Sequence, residues 1–234
     1  MRIIPVIDIL DNVVVHAVAG DRKAYAPIQT PLARGCEPEE VAAGLIRRFG
    51  VDTLYIADLN AIGGRDDNGR ALTAIAQRLP DTRLWIDSGL RDRADIARWR
   101  QAWPDADCVI GSERFIDAAF LPQLRRAPRM ILSLDFLGSH FLGLPSLLAD
   151  PSVWPDRVIV MTLSRVGVGE GPDLALFRNI RDRAGTRDVF AAGGVRDPTD
   201  IDALVAAGAA GALVATALHR GGLTPMNKRH GAPE

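Results

Sequence analysis

One stretch of sequence occurs twice in this chain, and it constrains the fold more than any other feature. Residues 88–110 align with residues 193–215 without a gap, at a constant offset of 105 residues. Each copy runs from an apolar strand through a glycine turn and a helix into a second apolar strand. This period is far longer than the roughly 20 to 50 residues of solenoid repeats, so it indicates two half-domains of one α/β fold. The seven identical pairs are Gly89/Gly194, Arg91/Arg196, Asp92/Asp197, Asp95/Asp200, Ile96/Ile201, Ala102/Ala207 and Val109/Val214.

Eight short runs rich in β-branched residues alternate with helical patterns along the chain. The runs are too apolar to have one wet face, which is typical of parallel strands covered by helices. We therefore predict an α/β fold, a (β/α)8 TIM barrel built from two half-barrels. The predicted strands are residues 3–8, 53–58, 83–87, 107–111, 130–135, 157–162, 189–193 and 212–215, and the predicted helices are 38–49, 69–79, 93–102, 118–125, 145–150, 174–184 and 198–207.

Three local patterns predict further details of the fold, namely a hairpin, a weak last helix and four helix caps. Residues 12–18 alternate in polarity and predict a small hairpin at the barrel mouth. Residues 221–225 read Gly-Gly-Leu-Thr-Pro and break the helical pattern, so the last helix is expected to be weak or missing. A partner subunit or the tail would then cover the bare wall. Aspartates precede four of the helices as candidate N-caps: Asp92, Asp117, Asp173 and Asp197.

The chain is expected to form a single domain over residues 1–234. No Pro/Ser-rich linker, charge run or low-complexity segment divides it. The half-barrels would span roughly residues 1–125 and 126–225, with a polar tail at 226–234.

The balance of charge excludes several classes of partner. The net charge is -1 with both signs interspersed, so we expect neither nucleic acid nor membrane as a partner. Small molecules are the expected partners, and a homo-oligomer and a subunit of a complex both stay open. The apolar N-terminal run reaches Asp8 too early for a signal peptide, which favours a cytoplasmic protein.

Cysteines and histidines give no sign of a metal site. Cys36 and Cys108 lie far apart without metal-type spacing and are expected to be reduced structural thiols. We expect no metal and no cofactor. The histidines show neither a metal spacing nor a Ser-His-Asp order: His16, His140, His219 and His230.

Aspartates end several of the predicted strands, where the active site of a barrel is built. Asp8 and Asp135 end the first and fifth strands, which face each other across a barrel and are equivalent under the half-barrel symmetry. Two facing carboxyl groups can have different pKa values, so that one acts as base and the other as acid. We predict this role for Asp8 and Asp135, and expect Asp58 and Asp87 to cap helices or pair with arginine.

Glycine-bearing turns predict phosphate binding at two places on the mouth. A glycine turn followed by a helix N-terminus exposes backbone N–H groups that bind phosphate. Two such places would suit a ligand with a phosphate at each end. The long Gly-rich loop at 164–171 could fold over this ligand. The predicted phosphate-binding residues are Gly89, Gly111 and Ser112 on one side and Gly193, Gly194, Ala215 and Thr216 on the other.

These motifs resemble the HisA/HisF family of histidine biosynthesis over nearly the whole chain. The resemblance implies a half-barrel duplication that binds a substrate with two phosphates. HisA performs an Amadori aldose-to-ketose isomerisation, and HisF is a cyclase subunit. Asp8 then corresponds to the family's first-strand catalytic aspartate and Asp135 to its fifth-strand partner. The residues that carry the resemblance are 3–8, 58–61, Asp135, Ser164-Arg165, 193–195 and 214–218.

Departures from the family pattern keep a second reading open. Val166 stands where the family has an aspartate implicated in acid-base catalysis, and a valine side chain cannot transfer a proton. Residues 13–18, 165–167 and 215–219 are more similar to the HisA/HisF-related proteins of methanogens and methylotrophs. The first reading is a HisA-like isomerase of a phosphorylated ribosyl-type substrate. The alternative is a diverged paralogue in one-carbon cofactor biosynthesis of the tetrahydromethanopterin type, or a non-catalytic phosphosugar-binding subunit.

Overall fold

Eight parallel strands close into a barrel, as the repeat predicts. The computed structural model describes residues 1–18 and 21–224; His230, residue 225 and the expected tail at 226–234 lie outside them. The barrel strands are β1 (Arg2–Leu10), β4 (Thr53–Asp58), β5 (Arg83–Asp87), β6 (Asp107–Gly111), β7 (Met130–Leu137), β9 (Arg157–Thr162), β10 (Asp188–Ala192) and β11 (Gly211–Val214). β1 pairs with β11 from Arg2↔Gly211 to Pro5↔Val214, which closes the barrel.

Three short antiparallel strands extend the mouth: β2 (Val13–His16), β3 (Ala26–Pro27) and β8 (His140–Leu142). β2 confirms the hairpin predicted at 12–18, whereas β3 and β8 are too short to give a sequence signal. The two hairpins repeat the half-barrel symmetry, because Asp8 pairs with Val15 and Asp135 pairs with Leu142. Each aspartate therefore lies at the base of a hairpin.

Helices connect the strands close to the predicted positions. They are α1 (Pro38–Phe49), α2 (Leu59–Ile62), α3 (Gly69–Arg78), α4 (Arg93–Ala102), α5 (Leu121–Leu124), α6 (Pro145–Ala149), α7 (Leu174–Arg183), α8 (Pro198–Ala206) and α9 (Thr216–His219). α2 is not in the prediction, and the segment predicted as one helix at 118–125 is a 3-10 turn at Ala118–Phe120 followed by α5. Within the described residues only the single turn α9 follows the last strand, which confirms the expected weak last helix.

The identical residues of the repeat build the same cap twice. Asp92 accepts the backbone N–H of Asp95 at 2.8 Å, and Asp197 accepts that of Asp200 at 3.2 Å. The second aspartate of each copy accepts a backbone N–H in return, from Arg91 at 3.0 Å and from Arg196 at 2.9 Å. Reciprocal caps of this kind satisfy N–H groups that the first helical turn leaves free. The repeated aspartates therefore form the N-terminal caps of α4 and α8.

The barrel interior is filled with apolar side chains below the mouth. Trp85 and Phe190 meet edge to face with ring centroids 5.0 Å apart. This filling makes the lower barrel a packed core, and a ligand site is expected at the mouth. Every barrel strand contributes to the interior cluster: Ile4, Tyr55, Trp85, Val109, Ile131, Ile159, Phe190 and Leu213.

Across the described residues, no helix combines the length and the apolar character needed to cross a bilayer.

Candidate active site

A cavity of about 560 Å³ opens at the carboxyl ends of the strands. This is the end of a barrel at which active sites are built. Three aspartates at strand ends line the cavity, namely Asp8, Asp87 and Asp135, together with Tyr55 and Glu113. The rest of this lining is mostly apolar, so the carboxyl groups lie in a poorly hydrated environment.

Asp8 presents a carboxyl group without a hydrogen-bond donor. It lies at the point where β1 pairs with both β4 and β2. No group in the described residues donates to its carboxylate. Burial raises the pKa of Asp8 to about 7, because desolvation disfavours the charged form. Such a carboxylate is free to accept a proton from a ligand near neutral pH.

Asp135 is held in place from two sides. The Ser133 hydroxyl donates to Oδ1 at 2.6 Å, and the Glu113 backbone N–H donates to Oδ2 at 3.1 Å. The Ser112 hydroxyl lies 3.2 Å from Oδ2. Burial raises the pKa of Asp135 to about 7 despite these contacts, and the nearby charge of Asp87 acts in the same direction. The side chain is therefore oriented and able to carry a proton near neutral pH.

Asp87 adds a third carboxyl group to the site. One oxygen accepts the Gly89 backbone N–H at 2.9 Å inside the turn after β5, and the other accepts the Tyr55 hydroxyl at 3.3 Å. The expectation that Asp87 caps a helix or pairs with arginine is therefore wrong, because Asp92 is the N-cap of α4 and Asp87 forms no ion pair within the described residues. Burial raises the pKa of Asp87 to about 6. Burial also raises the pKa of Tyr55, and the charge of Asp87 adds to this effect. A Cβ at Gly111 would lie 3.3 Å from Asp87 and 3.4 Å from Asp135, so the glycine leaves room between the two carboxyl groups.

Asp58 takes the structural role expected for it. Its carboxylate accepts the backbone N–H of Ala61 at 3.1 Å and the side-chain amide of Asn68 at 2.6 Å. Asp58 pairs with Ile9, whereas its neighbour Ala57 pairs with Asp8. Because successive side chains of a strand point to opposite faces, Asp58 faces the helices and Ala57 faces the cavity.

The glycine turn after β10 and the turn after β11 line the cavity, through Gly193 and Gly194 in the first and Ala215 and Thr216 in the second. Gly193 and Gly194 have φ values of 101° and 90°, a region that disfavours residues with a Cβ. Two cations, Arg196 and Arg220, line the cavity beside these turns. Arg196 is paired with Asp200 at 2.8 Å. Arg220 is exposed and makes no ion pair within the described residues.

The predicted phosphate-binding residues in the turns after β5 and β6 do not line the cavity. Among the described residues, Glu113 lines the cavity on this side, but Gly89, Gly111 and Ser112 do not. A Cβ at Gly89 would lie 2.5 Å from the Cα of Ile62, so this glycine permits close packing against α2. The Ser112 hydroxyl donates to the Leu142 carbonyl at 2.7 Å and accepts the Asp135 N–H at 2.8 Å. Phosphate binding by these three residues stays a prediction.

The Gly-rich loop at 164–171 crosses the mouth. Gly167 packs against the segment after β2, since a Cβ there would lie 2.3 Å from the Ala17 carbonyl oxygen. The Arg165 guanidinium donates to the Gly171 carbonyl at 2.9 Å and fixes the base of the loop. Val166 lines the cavity, so an apolar side chain occupies the place of the acid that the resemblance implies.

Metal-ligating side chains are not clustered in the described parts of the chain. No group of three or more His, Cys, Asp or Glu residues is placed to hold an ion there.

A model of the family described as histidine biosynthesis protein matches residues 2–142 and 153–224. The chain belongs to the histidine biosynthesis protein family. This match confirms the HisA/HisF resemblance and covers both half-barrels. Asp8 and Asp135 both lie within the matched residues.

Relatives in this family include proteins with and without an assigned activity. An uncharacterized protein of Methanocaldococcus jannaschii is 30% identical over 225 residues, with 94% of each chain aligned. Imidazole-4-carboxamide isomerases whose names specify a 5-phosphoribosyl and a 5-phosphoribosylamino group are also similar. The one from Lactiplantibacillus plantarum is 26% identical, with 95% of each chain aligned. The one from Alkalilimnicola ehrlichii is 28% identical, with 95% of this chain and 93% of the relative aligned.

Proposed function

We propose that this member of the histidine biosynthesis protein family is an aldose-ketose isomerase of the HisA type. Its substrate is a phosphorylated ribosyl compound with an amine at the anomeric carbon. The observation that carries the proposal is the pair Asp8 and Asp135, two carboxyl groups with pKa values near 7 that face one cavity. Groups that titrate near the working pH are the most effective general acids and bases.

The two aspartates divide the proton transfers of an Amadori rearrangement. Protonated Asp135 donates to the ring oxygen of the ribosylamine, and the C1–O bond breaks to give a protonated imine. The Asp8 carboxylate then removes the proton from C2, and the electron pair of that C–H bond neutralises the imine to form an enolamine. A proton returned to C1 and loss of the O2 proton complete the ketose, so the reaction needs no oxidant.

In this proposal the phosphate group of the substrate binds at the turns after β10 and β11. Arg196 and Arg220 line the cavity beside these two turns, and a phosphate would be attracted to Arg220, which makes no ion pair within the described residues. Binding of a second phosphate at the turns after β5 and β6 stays a prediction. Glu113 lies on that side of the cavity and would repel that phosphate.

Turnover of the purified chain tests the proposal. The phosphoribosyl substrate named for the isomerase relatives would be added and the reaction followed by ultraviolet absorbance. Asp8→Asn is expected to abolish turnover, while Asp81→Asn, which changes an exposed aspartate, leaves it unchanged. Activity that survives Asp8→Asn would remove Asp8 from the mechanism.

Val166 favours a second candidate function, a diverged paralogue that acts in one-carbon cofactor biosynthesis or binds a phosphosugar without turning it over. An apolar residue lines the cavity at the position of a family acid. Complementation of a histidine auxotroph separates the candidates. The isomerase is expected to restore growth, and the paralogue is not.

A further inference from the structure

A small void lies at the seam of the barrel, between the cavity and the outer surface. β1 pairs with β11 only as far as Pro5, and pairs with β2 from Asp8 onward. Among the described residues, no strand lies beside the backbone of β1 between these two pairings on that side. A space of about 20 Å³ lies here, lined in part by Asp8, His16, Thr216 and His219.

His219, which lines this void, has a ring nitrogen without a partner in the described residues. The residue belongs to α9 and is only 6% exposed. Its Nδ1 lies 3.0 Å from the Thr30 hydroxyl, and its Nε2 is buried without a partner in the described residues. Burial lowers the pKa of His219 to about 4, and the charge of His16 acts in the same direction. The imidazole is therefore neutral at neutral pH.

The Thr30 hydroxyl can donate its proton to Nδ1 of His219, an arrangement that puts the imidazole proton on Nε2. The Thr30 hydroxyl oxygen accepts the Leu32 backbone N–H at 3.2 Å. A neutral imidazole that accepts at Nδ1 donates at Nε2. In this tautomer His219 has a buried donor without an acceptor, and Asp8, which lines the same void, has a carboxylate without a donor, among the residues that the structure describes.

We propose that the void is a binding site for one water molecule that links His219 to Asp8. The water accepts the N–H of His219 Nε2 and donates to the Asp8 carboxylate. A space of this size holds one water, and a buried water needs two to four polar partners. His219 is then a positioning residue that acts on Asp8 through the water. The inference rests on the proposed function only where it takes Asp8 as the catalytic base.

The bridge favours the charged form of Asp8. A donor to a carboxylate stabilises the ion, so removal of the bridge raises the pKa of Asp8. The other titratable groups around Asp8 are His16 on β2 and Tyr55 on β4. Asp87 and Asp135 share the cavity with it, and Arg220 is the nearby cation that acts on His16. All of them are retained when only His219 is changed.

Two measurements on the full chain test the bridge without any need for turnover. A high-resolution crystal structure is expected to show a water within hydrogen-bonding distance of His219 Nε2 and Asp8. Carbon-13 NMR of the aspartate carboxyl groups gives the pKa of Asp8, whose signal is identified by its loss in Asp8→Asn. His219→Leu is expected to raise this pKa by about half a pH unit to one pH unit.

Matched variants separate the bridge from a general effect on the fold. His219→Gln can still offer an N–H near the position of Nε2 and is expected to keep the wild-type pKa of Asp8. His140→Leu removes an exposed histidine and is expected to leave the pKa unchanged. A dry void, or an Asp8 pKa that is equal in wild type and His219→Leu, would overturn the proposal. If His219→Leu does not fold, the wild-type water and the His219→Gln titration decide.

The outcome is independent of the proposed function. An enzyme that loses turnover in Asp8→Asn but has a dry void keeps the isomerase proposal and loses the bridge. A chain with the water and the pKa response but no turnover of the ribosyl substrate keeps the bridge and loses the isomerase proposal.

Discussion

The buried carboxyl groups of the site lower the free energy of unfolding at neutral pH. The pKa of Asp8 is about 7 in the folded chain, against 3.8 for an unperturbed aspartate. Because the folded chain holds this proton more tightly than the unfolded chain, unfolding releases it between about pH 4 and pH 7. The free energy of unfolding therefore falls as the pH rises through this range. Asp135 contributes in the same sense.

Asp8→Asn is accordingly expected to stabilise the fold at alkaline pH. An amide does not ionise, so the variant avoids the cost of a buried charge. We predict a gain of about 1 to 3 kcal/mol in the free energy of unfolding at pH 8 and almost none at pH 4, measured by urea denaturation. A gain of equal size at both pH values would show that the effect does not come from ionisation.

The sequence identifies part of the site at the level of single residues. Asp8 and Asp135 are predictable as the ends of opposing strands. Ser133 could have been found, because it lies two residues before Asp135 and shares its face of β7. Tyr55 could not, because it lies within an uninterrupted apolar run whose inward and outward positions look alike. The sequence around His219 does not show that its Nε2 lies unpartnered beside the void, because this position depends on where β1 and β11 end.

Individual elements follow the sequence where local chemistry determines them. α1, α4 and α8 begin where predicted, because Pro38 or a capping aspartate fixes the first turn. α2 is missed because Asp58 ends a strand and caps a helix at once. β8 has three residues and pairs with β7 through a turn in which Gly138 has a φ of 61°. Long-range pairing decides such short elements.

The duplicated cap predicts a loss of stability. Asp197 accepts the backbone N–H groups of Thr199 and Asp200 at 2.8 and 3.2 Å. Asp197→Ala leaves these donors without a side-chain partner and is expected to lower the free energy of unfolding by about 1 to 2 kcal/mol. Urea denaturation measures the loss. Asp182→Ala, at an exposed position of α7, is the control, and an equal effect of both changes would exclude capping as the cause.

At the scale of the whole molecule, the two sides of the barrel mouth carry opposite charges. Arginines line the cavity at the turns after β10 and β11, and Glu113 lines it on the side of β6. The single-turn α9 leaves the seam between β1 and β11 without a full covering helix within the described residues. The barrel topology was predictable from its repeat and its apolar strands. The charge asymmetry was not, because side-chain directions in the loops depend on tertiary contacts.

The asymmetry predicts where a phosphate binds. Ribose 5-phosphate at about a hundredfold excess over its Kd is expected to raise the Tm by about 5 to 10 °C. Arg220→Gln removes a lining cation and should raise the ligand concentration needed for this shift about tenfold. Arg93→Gln, an exposed arginine near the β5 side of the mouth, should not change it. Equal weakening by both variants would contradict a phosphate site at the β10 and β11 turns.

The pH dependence of kcat/KM tests the central claim, proton transfer by Asp8 and Asp135, most directly. An ionised Asp8 and a protonated Asp135 coexist most fully near pH 7, because burial raises both pKa values to about 7. We predict a bell-shaped profile with its maximum near pH 7, and a loss of at least about a thousandfold at that maximum in Asp8→Asn. A flat profile between about pH 5 and pH 9, or wild-type rates in Asp8→Asn, would contradict the claim.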